Sequence, residues 1–130
     1  MKRESEVWAK LKAALPAEVM AKRIEDASGD LGTWDTWLGC RGWGMWIELK
    51  HTETVNRKPK QRPGQYAFGA RLSEAKVSGC YIVGSSDGKV RIINQLWYGD
   101  DWKEYLIETW DEMSEANVRG LLERFGLFMA

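Results

Sequence analysis

The stretch from Gly32 to Lys50 constrains this chain more than any other. Two runs suited to strands, Gly32-Thr33-Trp34-Asp35 and Trp46-Ile47-Glu48-Leu49-Lys50, flank a glycine-rich turn. Interpreted as a hairpin centred on Arg41-Gly42, the stretch places Asp35 opposite Glu48 on the neighbouring strand. Because directly opposed residues have Cβ atoms ~5 Å apart, one divalent cation can bridge the two carboxylates.

Strand alternation then predicts which side chains share a face. Glu48 and Lys50 lie on one face of the strand, and Ile47 and Leu49 point to the other. Mg²⁺ takes one or two protein carboxylates together with waters and substrate phosphate, so Asp35 and Glu48 are candidate ligands. The backbone carbonyl of Leu49 could add a third protein oxygen. The alternative is an exposed strand face with a structural ion pair.

Lys50 would lie beside a metal-bound water or a scissile phosphate. An ammonium in that place can orient the nucleophile, lower its pKa or stabilise the developing negative charge. The spacing of the residues does not decide among these three roles.

Length and composition predict one domain over residues 1–130. A chain of 130 residues can bury a real core, and 44% apolar with 29% charged residues is ordinary for a globular protein. Neither an apolar run of ~20 residues nor an apolar stretch behind the charged N-terminus is present, so no membrane span or signal peptide is predicted. We expect Cys40 and Cys80 to be reduced thiols in a cytoplasmic protein.

The formal net charge of zero hides an uneven distribution. A basic segment follows Lys50, and an acidic segment runs from Asp100 to Glu115. The basic segment is the candidate DNA-binding region, in which cationic side chains would contact phosphates: Arg57, Lys58, Lys60 and Arg62, with Arg71 on the following helix. The alternative is that both segments are simply solvated surface.

Eight tryptophans are many for this length. Seven of them fall near the hairpin or in the last third of the chain: Trp34, Trp37, Trp43 and Trp46, then Trp97, Trp102 and Trp110. Aromatic clusters are typical of cores and subunit interfaces, but they also form platforms on which unstacked bases lie.

The remaining patterns predict three helices and further strands. Ser5 can cap a first helix that Pro16 ends, and residues 18–26 suit a strand before a loop at 26–30. A mobile basic loop is expected from His51 to Pro63, followed by a helix from Pro63 to about Lys76.

The second half of the chain predicts a hairpin and a final helix. Strands Cys80–Gly84 and Val90–Ile93 are joined by a turn, and Ser114 caps a helix that Gly126 ends. Residues 95–113 fit a helix or a strand. The elements together indicate an α/β domain with a mixed central β-sheet flanked by helices.

The hairpin residues carry a family resemblance. Asp35 followed by Glu48-Leu49-Lys50 resembles the signature of the PD-(D/E)xK nuclease superfamily. With Gly32-Thr33-Trp34-Asp35 and Arg62-Pro63-Gly64-Gln65, the chain is similar to the VRR-NUC type, which has small stand-alone members in phages and prophages. The resemblance covers roughly residues 5–94, the core, and leaves an acidic, Trp-rich C-terminal extension over 95–130.

The resemblance implies a restriction-endonuclease-like core, Mg²⁺ or Mn²⁺ dependence, and hydrolysis of phosphodiester bonds in DNA. It implies that Asp35 and Glu48 bind the metal and that Lys50 is the catalytic lysine. Gln65 matches the helix glutamine that borders such sites, and Glu6 matches an acid found on the first helix. The architecture is similar to Holliday-junction resolvases, which implies a homodimer acting on branched or structured DNA.

The sequence departs from the family pattern in two places. Trp34 stands where the family usually has proline, and the C-terminal extension is unusually acidic and rich in tryptophan. Two other functions stay open: a non-catalytic nucleic-acid- or protein-binding module that retains a nuclease fold, and a protein-interaction factor that uses the extension.

Overall fold

The structure, a computed structural model, describes residues 3–24 and 33–127. In these ranges a six-stranded sheet is flanked by three α-helices. In chain order the elements are α1 (Glu4–Ala14), β1 (Met20–Arg23), β2 (Thr36–Cys40), β3 (Trp43–Thr52), α2 (Pro63–Glu74), β4 (Ser78–Ser85), β5 (Val90–Asn94), a short 3₁₀ helix (Trp102–Tyr105), β6 (Leu106–Trp110) and α3 (Glu115–Arg124).

The sheet is mixed, as the sequence predicts. Its strands lie in the order β1-β2-β3-β4-β5-β6. Among the strands of the described ranges, only β3 and β4 pair in parallel, and α2 forms the crossover between them, whereas each remaining pair of neighbours is antiparallel. The chain is therefore an α/β domain, and β3 lies within the sheet.

The central hairpin has the predicted register. Thr36 pairs with Ile47 and Cys40 with Trp43, which leaves Arg41-Gly42 as a two-residue turn. Both turn residues have positive φ, 49° and 80°, as a type I′ turn requires. One step beyond the Thr36–Ile47 pair, this register places Asp35 across from Glu48.

The two faces of the sheet are covered differently. The core face carries Ile47, Leu49 and Ile82, and its apolar cluster includes residues of both α1 and α3, such as Leu11 and Leu121. The opposite face, called the site face below, carries Tyr81 and Val83 in a second, aromatic-rich cluster with α2. Four of its buried members are Trp34, Leu72, Trp97 and Trp102.

Several element boundaries differ from the predictions. Helix α1 begins at Glu4 with Arg3 at its cap, so Ser5 lies inside the helix rather than capping it. Glu4 and Glu6 in the first turn favour this start because carboxylates complement the helix dipole. Strand β1 is shorter than predicted, and β3 continues through Thr52, so the basic loop starts two residues later. The predicted loop at 26–30 lies outside the described residues.

The segment after Leu96 completes the fold. Strand β6 pairs with β5, where Val90 lies opposite Trp110, and this assigns the stretch that the sequence left undecided. The Ser114 hydroxyl accepts a hydrogen bond from the N–H of Asn117 and caps α3, as predicted. The core assignment is confirmed for Trp34, Trp97, Trp102 and Trp110, which are all buried.

Neither described cysteine forms a disulfide; Cys80 is buried and Cys40 half-buried. In the described ranges, every helix is too short or too polar to cross a membrane.

Candidate functional site

The central hairpin holds the Asp35 and Glu48 carboxylates together at the edge of the site face. The Asp35 N–H donates to Glu48 Oε1 at 3.1 Å. Asp35 Oδ1 accepts from the Leu49 N–H at 3.3 Å and from the Thr36 hydroxyl at 2.9 Å. Because β2 begins only at Thr36, the Leu49 N–H faces Asp35 without a ladder partner and is available to its side chain.

The Leu49 carbonyl faces the same edge of its strand as the Leu49 N–H. The N–H and C=O of one strand residue point to the same edge of the strand. Since the Leu49 N–H points at Asp35, its carbonyl faces the same edge, beside the two carboxylates. Two carboxylates and one backbone carbonyl are oxygen donors of the kind that Mg²⁺ prefers.

Gln65, in the first turn of α2, links the ends of Glu48 and Lys50. Its Oε1 accepts from Lys50 Nζ at 2.8 Å and from the Arg62 N–H at 3.1 Å, and its Nε2 donates to Glu48 Oε2 at 2.7 Å. Ammonium and backbone N–H groups only donate, so the amide oxygen of Gln65 faces Lys50 and Arg62 and the orientation of the amide is fixed. Lys50 Nζ is thereby held 4.0 Å from Glu48 Oε2.

Trp34 fastens the start of α2 to the hairpin. Its indole Nε1 donates to the backbone carbonyl of Gln65 at 2.9 Å. The ring is fully buried against Tyr81 and Phe68, with ring centroids 4.7 and 5.7 Å away. Trp34 therefore positions Gln65. A buried indole N–H needs an acceptor, but the sequence gives no sign of which one it finds.

Burial dominates the electrostatics of the site. Glu48 and Lys50 are only 4% and 6% exposed. Burial, and then the charge of Asp35, raise the pKa of Glu48 to about 8, although Lys50 opposes the shift. Burial also raises the pKa of Asp35 and lowers that of Lys50. Two carboxylates thus share one ammonium where water is largely excluded, and their mutual repulsion is only partly offset.

A third acid acts on the site from a distance. The charge of Glu4, at the start of α1, raises the pKa of both Asp35 and Glu48. Glu6, the predicted acid of the first helix, is half-buried on α1, and its role as a ligand stays a prediction. Over residues 3–24 and 33–127 the chain brings together no group of three or more His, Cys, Asp or Glu side chains that could hold a metal ion.

The predicted DNA-contacting residues are all exposed. Arg62 is nearest to the site, since its charge lowers the pKa of Lys50. Arg71 lies nine residues further along α2, or roughly 13 Å at 1.5 Å per residue. Lys58 forms an exposed ion pair with Asp100, so part of its charge is neutralised. Arg57 and Lys60 complete the exposed set.

Arg91 is a site-face residue that the sequence analysis missed. It is 1% exposed, and its guanidinium donates to the Thr52 hydroxyl at 2.7 Å and to the Arg57 carbonyl at 2.8 Å. It also lies 4.5 Å from the centre of the Trp102 ring. Burial lowers its pKa to about 10. Arg91 therefore anchors the basic loop, and a single arginine within an apolar strand gave no signal of this.

Comparison with protein-family models, with curated proteins and with solved structures finds no match to this chain.

Proposed function

We propose that this protein is a metal-dependent DNA endonuclease of the PD-(D/E)xK type that hydrolyses phosphodiester bonds in branched or structured DNA. One observation carries the proposal: Asp35, Glu48, Lys50 and Gln65 meet in a single hydrogen-bonded cluster on the site face. An ordinary surface ion pair does not explain this cluster, because Glu48 and Lys50 are almost fully buried and the carboxylates outnumber the ammonium.

The donor set suits Mg²⁺ or Mn²⁺. Asp35, Glu48 and the Leu49 carbonyl would hold the ion, which would lower the pKa of a bound water and offset negative charge on the phosphate. The raised pKa of Glu48 supports this assignment, because a divalent cation between the carboxylates would relieve the repulsion from Asp35.

Lys50 and Gln65 would have separate roles, Lys50 at the reacting phosphate and Gln65 in positioning Lys50 and Glu48. The Gln65 amide fixes the direction of Lys50 Nζ, while its second hydrogen bond keeps Glu48 in place. As an ammonium, Lys50 would stabilise charge on the phosphate oxygens. Because burial lowers its pKa, Lys50 could also receive a proton from the attacking water nearer to neutral pH than an exposed lysine could.

The exposed cations near the start of α2 would bind the DNA backbone. If ~4–5 phosphates are neutralised, log K should fall with log[salt] with a slope of roughly −4. Because Asp100 offsets Lys58, we expect Asp100→Asn to increase the affinity for DNA at low salt.

We also propose a homodimer. Strand β1 is an edge strand with Met20 65% exposed, next to a cleft lined by Trp37 and Trp43 at the hairpin turn. The apolar end of the chain offers less surface for such a contact than its sequence indicates, because Leu127 is buried in the core; Phe128 and Met129 lie outside the described residues. A monomeric mass in light scattering at micromolar concentration would remove this part of the proposal.

The first test is cleavage of a labelled panel: a four-way junction, a flap, a single strand and a plain duplex. The protein is assayed with Mg²⁺, with Mn²⁺ and with EDTA, beside Glu48→Ala and the matched control Glu53→Ala, an exposed acid just beyond the end of β3. We expect metal-dependent cutting that Glu48→Ala abolishes and Glu53→Ala keeps. Salt-sensitive binding without cutting by either metal would instead support the non-catalytic binding module.

A further inference from the structure

An exposed pair of tyrosines lies next to the candidate site. The rings of Tyr66 and Tyr98 pack edge to face, with centroids 4.6 Å apart and planes at 65°. Their side chains are nevertheless exposed, Tyr66 at 37% and Tyr98 at 61%. Among the described residues these are the only exposed aromatic rings of the large hydrophobic class, so core packing does not account for them.

Two distant segments are tied together to build this pair. Gln61 Nε2 donates to the Trp97 carbonyl and to the Tyr81 hydroxyl, both at 2.8 Å. Lys58 pairs with Asp100, and the buried Trp97 closes its own turn by donating to the Gly99 carbonyl at 3.0 Å. The turn that carries Tyr98 is therefore fastened on both sides to the basic loop that precedes α2.

Tyr66 places the pair beside the catalytic cluster. It directly follows Gln65 on α2 and lies four residues, about one turn, after Arg62. The Arg62 N–H donates to Gln65 Oε1, the same oxygen that accepts a hydrogen bond from Lys50 Nζ. A strand whose phosphate reaches Lys50 would thus pass Arg62 and then meet the tyrosine rings.

We propose that Tyr66 and Tyr98 form a stacking platform for an unpaired base of the bound DNA strand, so that the enzyme prefers DNA with a single-stranded part to plain duplex. The proposal rests on the proposed function. Stacking on aromatic side chains tolerates every base, whereas a base inside a duplex has both faces covered by its neighbours.

The charges beside the platform favour a nucleic acid over other occupants. Arg62 and Lys60 are exposed cations on either side of Gln61, which holds the turn that carries Tyr98, and they would suit the phosphates that flank a stacked base. Lys58 offsets the Asp100 carboxylate, which would otherwise repel those phosphates close to Tyr98. An exposed aromatic pair alone would suit a peptide as well, but the cations select a polyanion.

The test measures binding separately from cleavage. Full-length protein in EDTA is titrated into flap, single-stranded and duplex DNA, with 2-aminopurine in the unpaired segment to report stacking and fluorescence anisotropy to report affinity. We expect Tyr66→Ala and Tyr98→Ala each to weaken flap and single-strand binding about tenfold, and duplex binding by less than about twofold. Tyr66→Phe and Tyr98→Phe should keep both the affinity and the quenching.

Leu96→Ala, which removes an exposed apolar side chain two residues before Tyr98 without altering either ring, is the matched control and should leave all three affinities unchanged. Flap affinity and 2-aminopurine quenching that survive both alanine substitutions would overturn the platform even if the wild type cuts DNA. A different outcome is that the alanine variants lose the 2-aminopurine quenching but the wild type cuts DNA with neither metal. That result would support the stacking platform and overturn the proposed nuclease activity. If the protein binds every DNA of the set more weakly than an unrelated control protein does, both the stacking platform and the proposed nuclease function are overturned.

Discussion

The two faces of the sheet bury different kinds of side chain from the same strands. On the core face, Ile47 and Leu49 of β3 pack under α1 and α3 with apolar neighbours. On the site face, Glu48 and Lys50 of the same strand are just as buried, but they are charged. Adjacent residues of one strand therefore belong to a uniform core on one side and to a polar cluster on the other.

The difference shows that burial alone does not mark a residue as structural. A buried charge is costly unless its partners replace water. Arg91 is held by neutral acceptors and an aromatic ring, an arrangement that anchors a loop. Around Lys50 two carboxylates face one ammonium, and burial, then the charge of Asp35, raise the pKa of Glu48. Under the proposed function, a divalent cation would offset that charge.

The largest expected effect separates the two buried cations of the site face. We expect Lys50→Met to lower the cleavage rate by at least about 10²-fold, because it removes a charge that acts on the reacting phosphate. Arg91→Met should keep most of the rate but destabilise the fold by about 1–3 kcal/mol, since Thr52 and the Arg57 carbonyl lose their donor.

Single-turnover cleavage and urea unfolding measure the two quantities. Lys50→Met should unfold at nearly the wild-type midpoint, because Glu48, whose pKa is about 8, holds a proton at neutral pH and is not left as an unpaired charge. If Lys50→Met and Arg91→Met lower the cleavage rate equally, Lys50 does not have a catalytic role that Arg91 lacks.

The second effect is a pH dependence of stability that the core face cannot produce. In the folded state the pKa of Glu48 is about 8, above its ordinary value of 4.5. Between these values the folded protein keeps a proton that the unfolded chain has released, so stability falls as pH rises from about 4.5 to 8. We expect a loss on the order of a few kcal/mol across this window without metal.

Urea unfolding from pH 5 to 8 in EDTA measures the slope, and Glu48→Gln should flatten it. The lowered pKa of Lys50 acts in the opposite direction at higher pH, so the comparison ends at pH 8. Added Mg²⁺ should stabilise the wild type more at pH 8 than at pH 5. A wild-type slope that matches the Glu48→Gln slope would show that the carboxylate is not perturbed.

The smallest effect compares one glycine in the helix of each face. A Cβ on Gly69 of α2 would lie 2.1 Å from the Gln95 carbonyl oxygen and 3.0 Å from the Trp34 ring, so Gly69→Ala should destabilise by roughly 1–3 kcal/mol. A Cβ on Gly120 of α3 meets nothing within 4 Å, so Gly120→Ala should stabilise by about 0.5–1 kcal/mol through helix propensity.

Thermal unfolding of both variants gives the comparison. Because Trp34 holds the Gln65 carbonyl, Gly69→Ala should also reduce cleavage, whereas Gly120→Ala should not. A stabilising Gly69→Ala would mean that α2 is not packed as closely on the site face as the structure indicates.

The C-terminal extension shows where sequence patterns stopped being informative. Its acidic and tryptophan residues suggested an appendage that could recruit another protein. In the structure Trp97, Trp102 and Trp110 are buried, and β6 closes one edge of the sheet, so these tryptophans are not available as a binding surface. Whether Tyr105 to Trp110 forms helix or strand depended on pairing with β5, which no local pattern encodes.

The sequence by itself determined the features that a few neighbouring residues control. The Arg41-Gly42 turn set the hairpin register, alternation put Glu48 and Lys50 on one face, and the Ser114 cap and Gly126 bounded α3. The place of Gln65 in the site came only from a family resemblance, and the hydrogen bond of Trp34 to it was not foreseen.

Tertiary structure alone decided the contacts between residues far apart in the chain. Arg91 meets the Arg57 carbonyl across 34 positions, and Tyr98 reaches Tyr66 from another segment. Burial and partner choice depend on which surfaces pack together, and that is settled by the whole sheet rather than by any short window of sequence. The carboxylate pair is local in origin, but its perturbed pKa is a property of the fold.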